Sequence, residues 1–337
     1  MAIIAVTDEQ RHQHSFLTDT LPTGAYLTLL DEGWQRYDTP LDAATDAQLV
    51  MFAQSLTLHQ VEGIVKALAD VLSVTNIRRH PFCGQFGETV LTGQATVHNP
   101  QQVNSVLAEI ADVYRVDVGV VRNAPSLQQP GLLVMDMDST LIQMECIDEI
   151  ASLAGVKDEV AAVTAKAMRG ELDFNQSLNT RVGCLRGVEV SRLAQLRDSL
   201  PLMPGVQALL RELKMRGWKL AIASGGFTYF ANHLKNRLGL DAAFSNVLGV
   251  TDEKLTGTVE GEIVNAQVKA QKVQALSIEF DIAPQQTIAM GDGANDLLMM
   301  EEAALGVACH AKPVVNQQAD VAVRYTGLHG LLYYLNC

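Results

Sequence analysis

Five consecutive residues, Asp136-Met137-Asp138-Ser139-Thr140, place two carboxylates and two hydroxyls directly after the apolar run 132–135. The carboxyl end of a strand is where open α/β sheets bind their ligands. An Asp-x-Asp pair also fills ordinary loops and caps helices, so the motif alone leaves both readings open. Ser224-Gly225-Gly226 follows a second apolar run, 219–223, and offers a hydroxyl and unobstructed N–H groups to a phosphate oxygen. In isolation it reads as an ordinary glycine turn. A third segment, Gly291-Asp292-Gly293-Ala294-Asn295-Asp296, follows the run 287–290. Asp292 and Asp296 could share a hard cation with Asp136, since Mg²⁺ prefers carboxylate and carbonyl oxygens; Asp292 could also merely cap the next helix. Lys269 completes the set, although a lone lysine is ordinarily solvated. Three polar, glycine-bearing segments after three separate strands would meet at one edge of a parallel sheet. A core that needed only turns has no reason to concentrate aspartates there.

The elements that must position these residues are legible from residue 132 onward. Short apolar strands at 132–135, 219–223, 287–290 and 305–308 alternate with helical segments at 205–217 and 294–303. The first of these helices carries Val206, Leu209, Leu210 and Leu213 on one face. This alternation predicts an α/β fold with a Rossmann-like parallel sheet over 132–337. Between the first strand and Pro204 the chain looks helical and shows no strand, which predicts a helical cap over about 143–203 inserted above the strand ends. Upstream, a helical stripe at Val61, Ile64, Val65, Leu68, Val71 and Leu72, with Thr57 as its N-cap, lies between apolar segments. A second stripe at Val103, Val106, Leu107 and Ile110 precedes an alternating strand at Val116, Val118 and Val120. The order βαββαβ predicts a small α+β domain over 46–123. Residues 124–131, with Pro125 and Pro130, read as a linker, and residues 1–45 as an irregular extension.

Composition narrows the partners. Lys and Arg number 25 against 38 Asp and Glu, for a net charge of −13. So acidic a surface repels a phosphate backbone and argues against nucleic acid, while a bound cation can still reverse the sign inside a cleft. No apolar stretch approaches the ~20 residues that span a bilayer. Acidic Asp8 and Glu9, with no basic segment before them, argue against a signal peptide. The five cysteines are scattered and form no C-x-x-C pair, as expected of a reduced, cytoplasmic protein. His80, Cys309 and His310 are read as structural, because the neighbouring Cys309–His310 pair lacks the partners a metal site needs.

In combination, Asp136-x-Asp138-x-Thr140, Ser224, Lys269 and Gly291-Asp292-Gly293-x-Asn295-Asp296 resemble the phosphatase branch of the haloacid dehalogenase superfamily, over about residues 131–337. Within it the chain is similar to the phosphoserine phosphatases. That likeness rests on Glu145-Cys146-Ile147-Asp148-Glu149-Ile150, on Met168-Arg169-Gly170-Glu171-Leu172-Asp173-Phe174 through Arg181, on Ala223 to Phe227, and on His310-Ala311-Lys312-Pro313. The resemblance implies hydrolysis of O-phospho-L-serine, the last step of serine biosynthesis, through an aspartyl phosphate. Asp136 would be the nucleophile and Asp138 the general acid and base. Mg²⁺ would be held by Asp136, the Asp138 main-chain carbonyl and Asp292, with Asp296 behind them. Ser224, Gly225 and Lys269 would take phosphoryl oxygens, and Asn295 would orient the phosphate. In the cap, Glu145 would meet the substrate ammonium and Arg181 its carboxylate, under apolar cover from Met168 and Phe174. The 46–123 segment resembles the ACT-type sensing domains in element order, which leaves open an amino-acid ligand there, a homodimer contact, or neither. Two alternatives remain: a phosphatase or phosphotransferase of the same superfamily acting on another small phosphoester, which the active-site residues barely separate from this reading, and an amino-acid sensor with a vestigial catalytic half, against which the intact set of Asp136, Asp138, Ser224, Lys269 and Asp292 argues.

Overall fold

A computed structural model of the protein describes residues 2–3 and 6–337. Two seven-stranded sheets organise it. The first contains Ala2–Ile3 (β1), Tyr26–Leu30 (β2), Gly33–Tyr37 (β3), Ala47–Ala53 (β4), Leu72–Arg79 (β5), Thr89–Val97 (β6) and Asp117–Val121 (β7), in the order β1-β3-β2-β5-β6-β4-β7. All its pairings are antiparallel. Strands β4 to β7 with helices Leu58–Leu68 and Pro100–Tyr114 make the expected βαββαβ run. Thr57 caps the first helix through a reciprocal box with Gln60. That helix stops at Leu68, so Val71 and Leu72 lead into β5 instead of extending the stripe.

The expected irregular extension over 1–45 is corrected by this sheet. β2 and β3 form a hairpin about Asp31 and Glu32, and β2 joins β5 at Leu27 opposite Ile77. Trp34, Leu27 and Leu17 are buried in the same core as the two helices of the βαββαβ run. The α+β unit therefore starts well before residue 46. The linker is also tied down. Gln286 accepts from the Ser126 N–H at 2.7 Å and donates back to Ser126 O at 2.9 Å, while Ser126 bridges to Asn336.

The second sheet contains Leu132–Met135 (β8), Lys219–Phe227 (β9), Ala242–Thr251 (β10), Lys254–Glu260 (β11), Thr287–Gly291 (β12), Leu305–Cys309 (β13) and Val321–Val323 (β14), in the order β11-β10-β9-β8-β12-β13-β14. It is parallel except for the β10–β11 hairpin, which sequence periodicity did not reveal. Every residue of β8 and β12 is buried, as both-face-covered strands require. Because β8 lies between β9 and β12, their carboxyl ends deliver the three polar segments side by side. The cap over them consists of helices Cys146–Ala154, Lys157–Met168, Phe174–Cys184 and Val190–Asp198. Among the described residues no helix is long and apolar enough to cross a membrane.

The two sheets are fused by one continuous core. Phe52, Phe82 and Val90 of the first half pack with Leu331, Tyr333 and Tyr334 of the second. Glu88 accepts from Tyr333 Oη at 2.8 Å and meets His329 Nε2 at 3.0 Å, all buried. Asp117, wholly buried, accepts from the N–H groups of Arg324, Tyr325 and Thr326 and from the Thr326 hydroxyl.

Candidate active site

The polar segments converge on a cleft of about 400 Å³ between the sheet and the cap. Asp136, Asp138, Glu145, Met168, Phe174, Arg181, Ser224, Gly225, Asp292 and Asn295 all line it. Lys269 and Asp296 lie beneath its floor. The Lys269 ammonium is fully buried and bridges Asp136 Oδ2 at 2.9 Å and Asp296 Oδ1 at 2.7 Å. Burial alone would lower this lysine, but the charges of Asp136 and Asp296 outweigh it and hold it above its ordinary range. The second oxygen of Asp136 accepts from the Met137 N–H at 2.7 Å, so both of its lone-pair faces are positioned.

Asp136, Asp292 and Asp296 bring carboxylate oxygens within 4.8 Å of one another. Asp292 is raised to about 6, first by burial and then by the neighbouring Asp136 charge, while Thr140 Oγ1 donates to it at 3.2 Å. Asp296 is pushed up by burial and by Asp136, with Lys269 opposing. Its two oxygens are already engaged, one by Lys269 and the other by the Gly293 N–H at 3.0 Å. A Cβ on Gly291 would stand 2.4 Å from the Asp296 carboxyl, so only glycine lets β12 end this close to the cluster. The donor set is all oxygen, crowded and excessively negative, which fits a hard divalent cation at Asp136 and Asp292 with Asp296 behind them.

Asp138 differs from its neighbour. One oxygen accepts from the Cys146 N–H at 3.1 Å, whereas Oδ1 is buried without a partner. Burial, then the Glu145 charge, raises its carboxyl to about 8. Asp138 is thus biased toward its protonated form at neutral pH. Ser139 sits at φ +55°, a left-handed conformation that costs a non-glycine residue, and its hydroxyl donates to Glu145 Oε1 at 2.7 Å.

On the cap side, Phe174, Leu178 and Arg181 recur at i, i+4 and i+7 of one helix and face the cleft together. Asp173 starts that helix with a capping box to Gln176. Arg181 Nε is buried without an acceptor. Burial costs this guanidinium more than Asp148 and Glu145 return, so it is held below its ordinary range. Met168 gives less cover than expected. It is 77% exposed and stands at the mouth, because its helix buries little beyond Val160. Phe174 reaches the floor: a Cβ on Gly225 would lie 3.0 Å from its ring.

Sequence reasoning missed Asp148, Thr164, Leu178 and Lys312 as lining residues. Helical spacing from named positions would have reached three of them: Asp148 is three residues after Glu145, Leu178 four after Phe174, and Thr164 four before Met168. Ser224-Gly225-Gly226 also proves to be part of β9, not a turn after it.

With this geometry in hand, residues 131–304 match the model of the haloacid dehalogenase-like hydrolases. The chain belongs to that family. A phosphoserine phosphatase of Vibrio cholerae is 43% identical over 324 residues, covering 94% of this chain and 93% of the relative. An unliganded crystal structure of a probable phosphoserine phosphatase from Vibrio cholerae superposes with a TM-score of 0.71 at 43% identity, over 86% of each chain. A substrate-bound phosphoserine phosphatase complex gives a TM-score of 0.58 at 39% identity, over 62% of this chain and 99% of the other. The family and the Rossmann-like core expected from the motifs are therefore those of this hydrolase.

Proposed function

We propose that the protein hydrolyses O-phospho-L-serine to serine and phosphate through a phosphoryl-aspartate on Asp136. The observation that carries the reading is a pair of buried polar atoms without partners, Asp138 Oδ1 and Arg181 Nε, on two residues that line one cleft. Buried polar groups left without partners mark where a ligand would supply them. One cationic group set opposite Glu145, above an Asp136–Lys269 floor, matches an amino acid esterified to phosphate. The phosphoserine phosphatase relatives support the same substrate.

Asp136, held by Met137 N–H and Lys269, presents an oxygen to phosphorus. As that bond forms, the ester P–O bond breaks and Asp138 gives its proton to the departing serine oxygen. Asp138, now ionised, takes a proton from water, whose oxygen attacks phosphorus and releases Asp136 and phosphate. Lys269, Ser224 Oγ and the Gly225 N–H would hold phosphoryl oxygens, whose charge persists throughout. Mg²⁺ held by Asp136, Asp292 and the Asp138 carbonyl would offset the repulsion between nucleophile and ester. Glu145 would pair with the substrate ammonium and the Arg181 fork with its carboxylate.

This division of roles sets a pH profile. Asp138 must keep its proton, and its value near 8 preserves the acid form through neutrality. Asp292 must be ionised to attract a cation, and it loses charge below about 6. kcat/KM is expected to fall on both sides of that window, and a rate that climbs steadily past pH 9 would rule out Asp138 as the acid.

The deciding experiment is phosphate release from L-phosphoserine, D-phosphoserine, phosphothreonine, glycerol phosphate and a sugar phosphate, with and without EDTA. Preference for L-phosphoserine, lost with EDTA, is the expected result. Metal-dependent turnover that favours another ester would discard the cap assignments. In the same assay Arg181→Ala should lower kcat/KM for phosphoserine about 100-fold while sparing phosphoethanolamine, which has no carboxylate. Equal losses on both would remove Arg181 from the amino-acid site.

A further inference from the structure

Strand β9 does not pair continuously with β10. Ala223 lies opposite Phe244 and Phe227 opposite Asn246, so Ser224, Gly225 and Gly226 stand against the single residue Ser245. Such a bulge frees main-chain groups from the ladder and turns them toward a ligand, yet each buried carbonyl and N–H still needs a partner. Asn246 supplies one. It is fully buried, and its Nδ2 donates to Gly225 O at 2.8 Å while its Oδ1 accepts from the Val264 N–H at 2.8 Å. The amide orientation is fixed by these partners, because a carbonyl can only accept and an N–H only donate. Val264 immediately precedes Asn265, the N-cap of the helix Ala266–Glu279 that carries Lys269.

The peptide unit held at Gly225 O is the same one whose N–H, on Gly226, donates to Ser224 Oγ at 3.1 Å. With that lone pair occupied, the Ser224 hydroxyl proton is directed away from its own loop. Ser224 is itself buried and lines the cleft. A chain of three groups therefore runs from Asn246 through one peptide plane to the Ser224 hydroxyl. We propose that Asn246 is a positioning residue: through the Gly225–Gly226 peptide it aims the Ser224 hydroxyl at the phosphoryl group, and through Val264 it registers that hydroxyl against Lys269. This rests on the phosphatase reading of the cleft. Aspartate keeps the size but puts an oxygen against Gly225 O, and alanine removes both bonds, so neither can do the same.

The test is a double-mutant cycle on turnover of phosphoserine and of an aryl phosphate, with thermal unfolding of every variant measured in parallel. Ser224→Ala is expected to lower kcat about 100-fold by removing one phosphoryl donor. Asn246→Asp is expected to lower kcat about 30-fold with a smaller change in KM, as befits a group felt mainly in the transition state. Combined with Ser224→Ala, it should cost no more than about twofold beyond Ser224→Ala alone. Asn246→Ala is run in the same cycle, so that a folding failure caused by the buried charge of the aspartate does not end the test. Losses that multiply, or a folded variant with wild-type kcat, would overturn the proposal. Failure of both variants to fold would assign Asn246 to folding alone, with the same consequence. If the wild type cleaves the aryl phosphate but not phosphoserine, only the substrate assignment falls, and the cycle is read on the aryl ester. A wild type without phosphomonoesterase activity overturns both.

Discussion

Asp136→Asn is expected to abolish turnover, by about 10⁴-fold or more, while leaving the protein folded. The amide keeps the shape of the carboxyl but is not a nucleophile toward phosphorus. The structural cost is small, because Lys269 keeps its 2.7 Å contact with Asp296 after losing one of two counter-charges. Asp292 gains, since the Asp136 charge is the second cause, after burial, of its raised value. Without metal, the variant should therefore unfold at the wild-type temperature or above it. Natural enzymes carry such repulsion because the site needs it, and relieving it commonly trades activity for stability. The check is phosphate release together with thermal unfolding in EDTA. Retained turnover would remove Asp136 as nucleophile, and a large fall in melting temperature would make the Asp136–Lys269 pair a structural requirement.

The same balance explains why the catalytic edge was legible in sequence. β8 and β12 are unbroken apolar runs ending in acidic, glycine-rich segments, and little except chemistry explains aspartates at that position. The first hairpin was not legible because β2 and β3 are five residues each, and their burial does not alternate. β11 fully buries only Leu255 and is largely polar, so no apolar period announced it. Asn246 carries no motif. Its meaning comes from a bulge that exists only once β9 and β10 are paired, and register is a property of two strands, not one. Glu88 with Tyr333 and Asp117 with Thr326 are joined across more than 200 residues of chain, a separation that no local periodicity encodes.

Those distant pairs govern the second large effect. A chain beginning near Gln129 would keep every residue that lines the cleft, since all of them lie between Asp136 and Lys312. Packing forbids such a chain. Tyr333 and Tyr334 are 1% exposed, and Phe52 packs edge-on against both, at ring separations of 4.8 and 5.4 Å. Glu88 is the partner of His329 and Tyr333, and Asp117 gathers the main chain after β14. Removing residues 1–128 strips all of these at once and opens β14 as an unprotected sheet edge. The loss is on the order of 5 kcal/mol or more, comparable with the whole stability of many domains. The shortened chain is therefore expected to aggregate or to melt far below the full protein, with turnover falling in proportion to the folded fraction. Size-exclusion chromatography and thermal unfolding beside the full chain decide it. A monodisperse product with an unchanged melting temperature would show that the C-terminal segment repacks on its own. Asp117→Ala isolates one part of the interface: it leaves four donors without their acceptor and should cost about 3 kcal/mol with kcat unchanged. That separation of stability from turnover distinguishes a half that holds the hydrolase together from one that takes part in its chemistry.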